Sequence, residues 1–349
     1  MEDPDLRQAV KRDPRGFLAE RRNACIIDEV QRLPDLLSYM QQIVDEDPRP
    51  GRFILTGSAN FQLLESVSQS LAGRTAMLTL LPMSTGELRG FGRPAISLWE
   101  TLLRGGYPAL HDRDLSPREW YGSYVSTYLE RDVRQILRVG ELGRYQDFLG
   151  LAAGRTATLL NRSALAADLG VASNTVEAWL AVLQASFLLQ RLPSLHANPR
   201  KRLVKAPKLH WLDSGMVCYL LGIESAEQLA RHPLRGAVFE SWVASEILKI
   251  RQHAGLAPRL SHFRDRKGRG VDLVLEGADA WIAVEVKSGQ TVHPEFFRAF
   301  DVLESLLDKD PIISRMERVL VYGGDAARKQ SGIRVLPWRE MDRQDWNAG

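Results

Sequence analysis

Ala24 to Asn60 reads ACIIDEVQRLPDLLSYMQQIVDEDPRPGRFILTGSAN. An apolar run, Ala24 to Asp28, closes on the acidic pair Asp28-Glu29, and a second, Phe53 to Thr56, closes on Thr56-Gly57-Ser58. Apolar residues at helical intervals from Leu36 to Val44 lie between them. A third apolar run, Ala76 to Leu80, comes after a helical pattern over Phe61 to Gln69. Short apolar strands alternating with helices predict βαβ units and a parallel sheet, with polar groups gathered where the strands end.

Outward from that stretch, a helical region runs from Leu98 to Val139, broken at Gly105-Gly106-Tyr107-Pro108 and around Ser116-Pro117. From 144 to 222 the helices shorten. Ser163 to Leu169 forms one, Gly170-Val171-Ala172 turns, and Ser173 opens another that runs to about Ala185, which is helix-turn-helix punctuation. Strands at Phe187 to Leu192 and Leu209 to Leu212 come next, so a winged helix is expected. The last third opens with an amphipathic helix, Ala237 to Arg251. Strands Leu260 to Arg264, Val271 to Glu276 and Ala280 to Lys287, helix His293 to Leu307 and strand Arg318 to Tyr322 complete a second α/β unit.

At 349 residues the chain exceeds one average core and predicts several domains. Hydrophobic residues make up 44% and charged residues 26%, which is the balance of a globular protein. No apolar run reaches the roughly 18 residues of a membrane span, and the polar opening MEDPDLRQAVKRDPRG resembles neither a signal nor a transit peptide. A cytoplasmic protein with no membrane partner is expected. Cys25 and Cys218 lack ligand spacing and read as packing residues. The net charge of +3 says little about partners. Local charge says more: Arg200, Lys201, Arg202, Lys205 and Lys208 form one basic run, and Arg259, Arg264, Arg266, Lys267 and Arg269 another.

Several runs carry a family resemblance: IIDEVQRLP, LTGSANF, SLAGR at Ser70 to Arg74, LLPMSTGEL at Leu80 to Leu88, YLERDV at Tyr128 to Val133, KRLVKAPKLHWLDSG at Lys201 to Gly215, and FESWV at Phe239 to Val243. Together they resemble a prokaryotic family of AAA-type ATP-binding proteins with a C-terminal domain of unknown function. The resemblance implies a P-loop AAA-type parallel sheet over 1–90, a helical lid over 91–143, a winged helix over 144–222 and a restriction-endonuclease-like α/β domain over 223–349. It also implies ATP and Mg²⁺ as ligands. Asp28 would hold the magnesium ion through water, and Glu29 would orient and deprotonate the attacking water. Ser58 and Asn60 would sense the γ-phosphate, and Arg74 would act as an arginine finger toward a neighbouring subunit. Arg131 would sense nucleotide, although helix salt bridges account for Glu130, Arg131 and Asp132 as well.

No GxxxxGK[ST] run lies within residues 1–23. The family's phosphate loop falls upstream of Met1, so an N-terminally truncated or start-misassigned copy is expected, unable to hydrolyse ATP alone, or a fragment that depends on a homo-oligomer or partner protein for the other half.

In the last third, Asp272 and then Glu285-Val286-Lys287 thirteen positions on, with Glu240 upstream, resemble the PD-(D/E)xK nucleases. Asp272, Glu285 and Glu240 would bind Mg²⁺, and Lys287 would position or deprotonate the attacking water. Val271 stands where that motif has proline, so the motif is degenerate. The competing reading is an ion-paired hairpin in which Lys287 neutralises Glu285. The helix from Ser173 would present Ser173, Asn174, Thr175 and Glu177 to DNA, with Arg200, Lys201, Arg202, Lys205 and Lys208 gripping phosphates. That helix carries no Arg or Lys of its own. Two functions compete: an ATPase-family protein with a DNA-directed nuclease, or a non-catalytic DNA-binding or scaffold protein.

Overall fold

The computed structural model describes residues 1–21, 24–57, 71–94, 96–128, 133, 142–195, 206–265, 267–277, 280–307 and 315–347. It is a mixed α/β chain in two compact units, Met1–Thr79 and Leu80–Gly349.

In the first unit, β1 (Cys25–Ile27) pairs in parallel with β2 (Phe53–Leu55), Cys25 opposite Phe53 and Ile27 opposite Leu55. Helix Asp35–Glu46 connects them and buries Leu36, Leu37 and Met40. Helices Pro4–Arg12 and Pro14–Ala19 each begin at an aspartate, Asp3 and Asp13, whose carboxylate accepts from first-turn amides, with proline at the first turn where its missing N–H costs nothing. Val10, Leu18, Ile27, Val30 and Leu71 join the helix residues in one core. The two strands keep a period of two, so Ile26 and Ile54 stand 68% and 57% exposed.

The expected third strand is a correction. Ala76 to Leu80 is not a strand, and Leu78 is 89% exposed. An apolar run becomes a strand only where a neighbour satisfies its backbone groups, and among the described residues none pairs with it. The expected helix over Phe61 to Gln69 lies outside the described residues.

The second unit begins at Leu80, so Leu80 to Gly90, expected in the first domain, packs with the residues C-terminal to it. Ser84 and Glu87 form a capping box at the head of helix Thr85–Gly90. Helices Leu98–Arg104, Pro108–Asp112 and Pro117–Tyr128 break where the sequence predicts. Gly105 sits at φ +70°, where a Cβ would lie 2.2 Å from the Tyr121 hydroxyl. Helix Leu142–Ala153 precedes helices Arg162–Leu169 and Ser173–Ala185, which meet at Gly170 in the left-handed conformation. Beside them lies a three-stranded antiparallel sheet of β3 (Thr158–Leu159), β4 (Leu189–Leu192) and β5 (Lys208–Trp211), in the order β3-β5-β4. β3 was not expected from the sequence.

Six more strands form the larger sheet: β6 (Leu260–Arg264), β7 (Gly270–Glu276), β8 (Ala280–Lys287), β9 (Arg315–Tyr322), β10 (Arg328–Gln330) and β11 (Ile333–Pro337). Their order is β10-β11-β9-β8-β7-β6, parallel at β8/β9 and β9/β11 and antiparallel elsewhere. Helix Arg235–His253 packs toward β8, sharing a core with Leu273, Leu275, Val284 and Val286. Helix Arg298–Leu307 packs toward β7, sharing another with Val274, Ala283 and Leu320. Alternate residues of β7 and β8 therefore enter opposite cores, and both faces are covered. The two sheets are joined at the edge: Ser194 bridges His262 of β6, with Leu195 N donating to His262 O at 2.6 Å and His262 N donating to Pro193 O at 2.9 Å.

Candidate functional site

In the first unit, Asp28 and Thr56 sit just past the carboxyl ends of the parallel pair, where open α/β sheets present ligand-binding groups. The Thr56 hydroxyl donates to the exposed Asp28 carboxylate. Glu29 adopts φ +53° and caps the turn Val30–Arg32, its carboxylate accepting from the Gln31 amide. Ser58 and Asn60 lie outside the described residues. Arg74 donates Nε to Asp45 Oδ1 at 2.5 Å and Nη2 to Asp45 Oδ2 at 3.0 Å. Its guanidinium is thus engaged within its own unit, although an exposed pair of this kind opens at little cost.

The second unit brings Glu240, Asp272, Glu285 and Lys287 into one cluster, linked through Lys208 and Lys287. Asp272 sits on β7 and the other two strand residues on β8, while Glu240 comes from helix Arg235–His253. Asp272 Oδ2 accepts from the Val286 amide at 3.0 Å. Lys287 Nζ donates to Glu285 Oε1 at 2.5 Å and stands 3.9 Å from Asp272 Oδ2.

Lys208 completes the cluster. From the first position of β5 its ammonium donates to Glu240 Oε1 at 2.7 Å and to Asp272 Oδ1 at 3.2 Å. This corrects its expected role at phosphate: a side chain 13% exposed and held by two carboxylates does not reach a DNA backbone. Arg200, Lys201, Arg202 and Lys205 lie outside the described residues. Lys208 was misread because a basic run in sequence does not say which member turns inward. The available signal was strand period, since Lys208 and His210 share one face of β5.

Burial sets the electrostatics. It raises the pKa of Glu240 above the usual carboxylate range, Asp272 adds to the rise and Lys208 opposes it. Burial and Asp272 likewise raise Glu285, against Lys287 and Lys208. Burial works against the Lys208 ammonium, but Glu240 and then Asp272 outweigh it and hold its pKa above the ordinary lysine value. His210, fully buried, is pushed well below the usual imidazole value by burial and by nearby Lys208. Its Nδ1 meets the Ser241 hydroxyl at 3.1 Å, which in turn meets Thr156 Oγ1 at 2.7 Å.

The carboxylates do not fit a divalent ion as they stand. Lys208 already places a positive charge between Glu240 and Asp272, and no group of three or more His, Cys, Asp or Glu among the described residues forms a metal shell. Among the residues expected to face DNA at the start of helix Ser173–Ala185, Ser173 and Asn174 are exposed, and Glu177 is tied to Arg191 of β4 at 2.5 Å and to Arg162 at 3.2 Å.

Two buried clusters were not anticipated. Glu246 Oε2 accepts from Thr85 N at 2.8 Å and Thr85 Oγ1 at 2.6 Å, while Glu246 Oε1 accepts from Lys249 at 3.0 Å. Asp213 accepts from Tyr121 OH at 2.5 Å, Gly106 N at 2.7 Å and Met216 N at 2.8 Å. These assign structural work to residues of the LLPMSTGEL and KLHWLDSG runs.

Residues 1–89 match the family model of an AAA domain. This end of the chain is AAA-like. Residues 96–227 match a domain of unknown function (DUF8612), and residues 235–341 match another (DUF4143). These matches fit an AAA-type protein with a C-terminal domain of unknown function, a family for which ATP and Mg²⁺ are the implied ligands. Two uncharacterised proteins, of Mycobacterium bovis and Mycobacterium tuberculosis, are each 31% identical over 288 residues, covering 80% of this chain. The chain spans 62% of the length of these relatives. No solved structure matches the chain. No helix among the described residues is long and apolar enough to cross a membrane.

Proposed function

We propose that this chain belongs to an ATP-dependent, DNA-associated regulatory protein whose nuclease-like module holds nucleic acid without cutting it. The carrying observation is the Lys208 ammonium between Glu240 and Asp272, which supplies internally the charge a hydrolytic metal would bring. In the first unit Asp28 fits a magnesium-bound water and Glu29 a base for the attacking water, with Arg74 available once released from Asp45; Ser58 and Asn60 keep the phosphate-sensing role that the resemblance implies. ATP and Mg²⁺ supply the phosphoryl chemistry there when bound.

In the second unit, the exposed start of helix Ser173–Ala185, the basic residues Arg200, Lys201, Arg202 and Lys205, and the exposed turn carrying Arg264, Lys267 and Arg269 support a DNA-facing surface on a winged-helix and nuclease-like scaffold. Plasmid incubated with the purified chain and Mg²⁺ or Mn²⁺ is expected to remain uncut. Retention on immobilised DNA is expected to fall with salt and with Lys201, Arg202 and Lys205 changed together to Ala. The convergence of Asp272, Glu285 and Lys287 favours the second reading, a metal-dependent nuclease. Cleavage by the wild-type chain that Asp272→Ala abolishes would establish that reading and displace the first.

A further inference from the structure

The cluster around Lys208 contains three carboxylates, Glu240, Asp272 and Glu285, and two ammonium groups, Lys208 and Lys287. All five side chains are at most 31% exposed. Asp272 turns Oδ2 to the Val286 amide and Oδ1 to Lys208, so its acceptors are divided between backbone and ammonium. Glu285 gives Oε1 to Lys287, while its Oε2 is buried with no hydrogen-bond partner. The Lys208 ammonium thus occupies the place of a cation shared by Glu240 and Asp272, while Glu285, paired with Lys287, keeps one buried carboxylate oxygen without a hydrogen-bond partner.

We propose that Lys208 is the resident cation of this cluster, that the folded chain therefore takes no divalent ion there, and that removing the ammonium opens a Mn²⁺ site between Glu240 and Asp272, the two carboxylates that share it. The argument is one of charge and space. Three carboxylates against two lysines leave at most one net negative charge, and a divalent ion added to them would leave a buried excess of positive charge, which is costly. Without Lys208, the three carboxylates oppose Lys287 alone and can neutralise a divalent ion. The ammonium also fills the volume: hard divalent ions bind carboxylate oxygens at about 2.0–2.6 Å, and an ion bridging Glu240 and Asp272 at that range would overlap Nζ.

This inference rests on the non-cleaving reading, yet the two fail separately. Mn²⁺ binding to the full chain, measured by electron paramagnetic resonance and calorimetry, is expected to show no stoichiometric site in the wild type up to about 1 mM, the weak end of protein oxygen sites. Lys208→Met should gain one site and a Mn²⁺-dependent rise in melting temperature, both lost in Lys208→Met/Asp272→Asn. Lys208→Arg, which keeps the charge, should bind none. A wild-type site that Asp272→Asn removes overturns the proposal, even if plasmid stays intact and the non-cleaving reading stands. A folded Lys208→Met chain without a Mn²⁺ site also overturns it. Should that variant fold poorly, rescue of its circular dichroism by Mn²⁺ supports the proposal, and lack of rescue overturns it.

Discussion

Asp213 closes the strand run LHWLD and, at 5% exposure, satisfies three donors from three separate segments: the Tyr121 hydroxyl and the amides of Gly106 and Met216. Asp213→Ala strands all three, and at about 1–3 kcal/mol for each buried unsatisfied donor a loss of at least about 3 kcal/mol is expected as a lower urea midpoint. Glu246 and Lys249 are 1% and 3% exposed. Glu246→Ala takes the carboxylate away from Thr85 and from the buried ammonium, which keeps only the Met83 carbonyl, an expected loss of about 3–5 kcal/mol. The double change Glu246→Leu/Lys249→Met should destabilise less than Glu246→Ala alone; a larger loss in the double would contradict an ion pair whose main cost is desolvation. The period of two in a strand places Glu285 and Lys287 on one face of β8, whereas their grouping with Asp272 and Glu240 is what the resemblance to the nucleases implies. Neither foretold Lys208, Glu246 or Lys249, since a lone charge in sequence looks the same whether it is solvated or buried with a partner.

Whole elements were legible where their pattern is long. The breaks at Gly105 and Ser116, the turn at Gly170 and the helix Arg235–His253 all agree with spacing and glycine placement. Short elements were not: β3 has two residues and β10 is the polar run Arg328–Gln330, so neither offers a period to read. The apolar run Ala76 to Leu80 misled in the opposite direction, having propensity without a ladder partner. Helix Pro108–Asp112 carries buried His111, whose Nε2 donates to the Gly105 carbonyl at 2.9 Å. Burial lowers its pKa, the hydrogen bond to Gly105 partly opposes this, Arg104 and Arg93 lower it further and Asp213 raises it. With the folded value depressed, the unfolded chain binds the proton more readily. This contribution to stability is present above the ordinary histidine pKa of about 6.5 and is lost as pH falls below it. Urea midpoints should therefore drop between pH 7.5 and 5.5, and the drop should shrink in His111→Gln; an unchanged pH dependence would refute the assignment.

For the whole molecule, two units with separate cores predict separable stability. The stretch from Ala72 to Leu78 is exposed throughout, which is where proteases act on folded chains. Limited trypsin digestion is expected to cut after Arg74 and leave a resistant fragment beginning at Thr75, identifiable by mass spectrometry; prior loss of residues 80–349 would show the opposite order of stability. The AAA match runs to residue 89, yet Thr85 is fastened to Glu246, and Arg89 donates to Asp342 and to the Arg339 carbonyl. A recombination event that exchanged AAA-like modules at residue 89 would therefore replace Thr85 and Arg89, the donors to Glu246 and Asp342. A crossover before Leu80 would keep the buried threonine with its carboxylate, so the seam for exchanging such modules lies at the boundary between the two units rather than at the end of the sequence match.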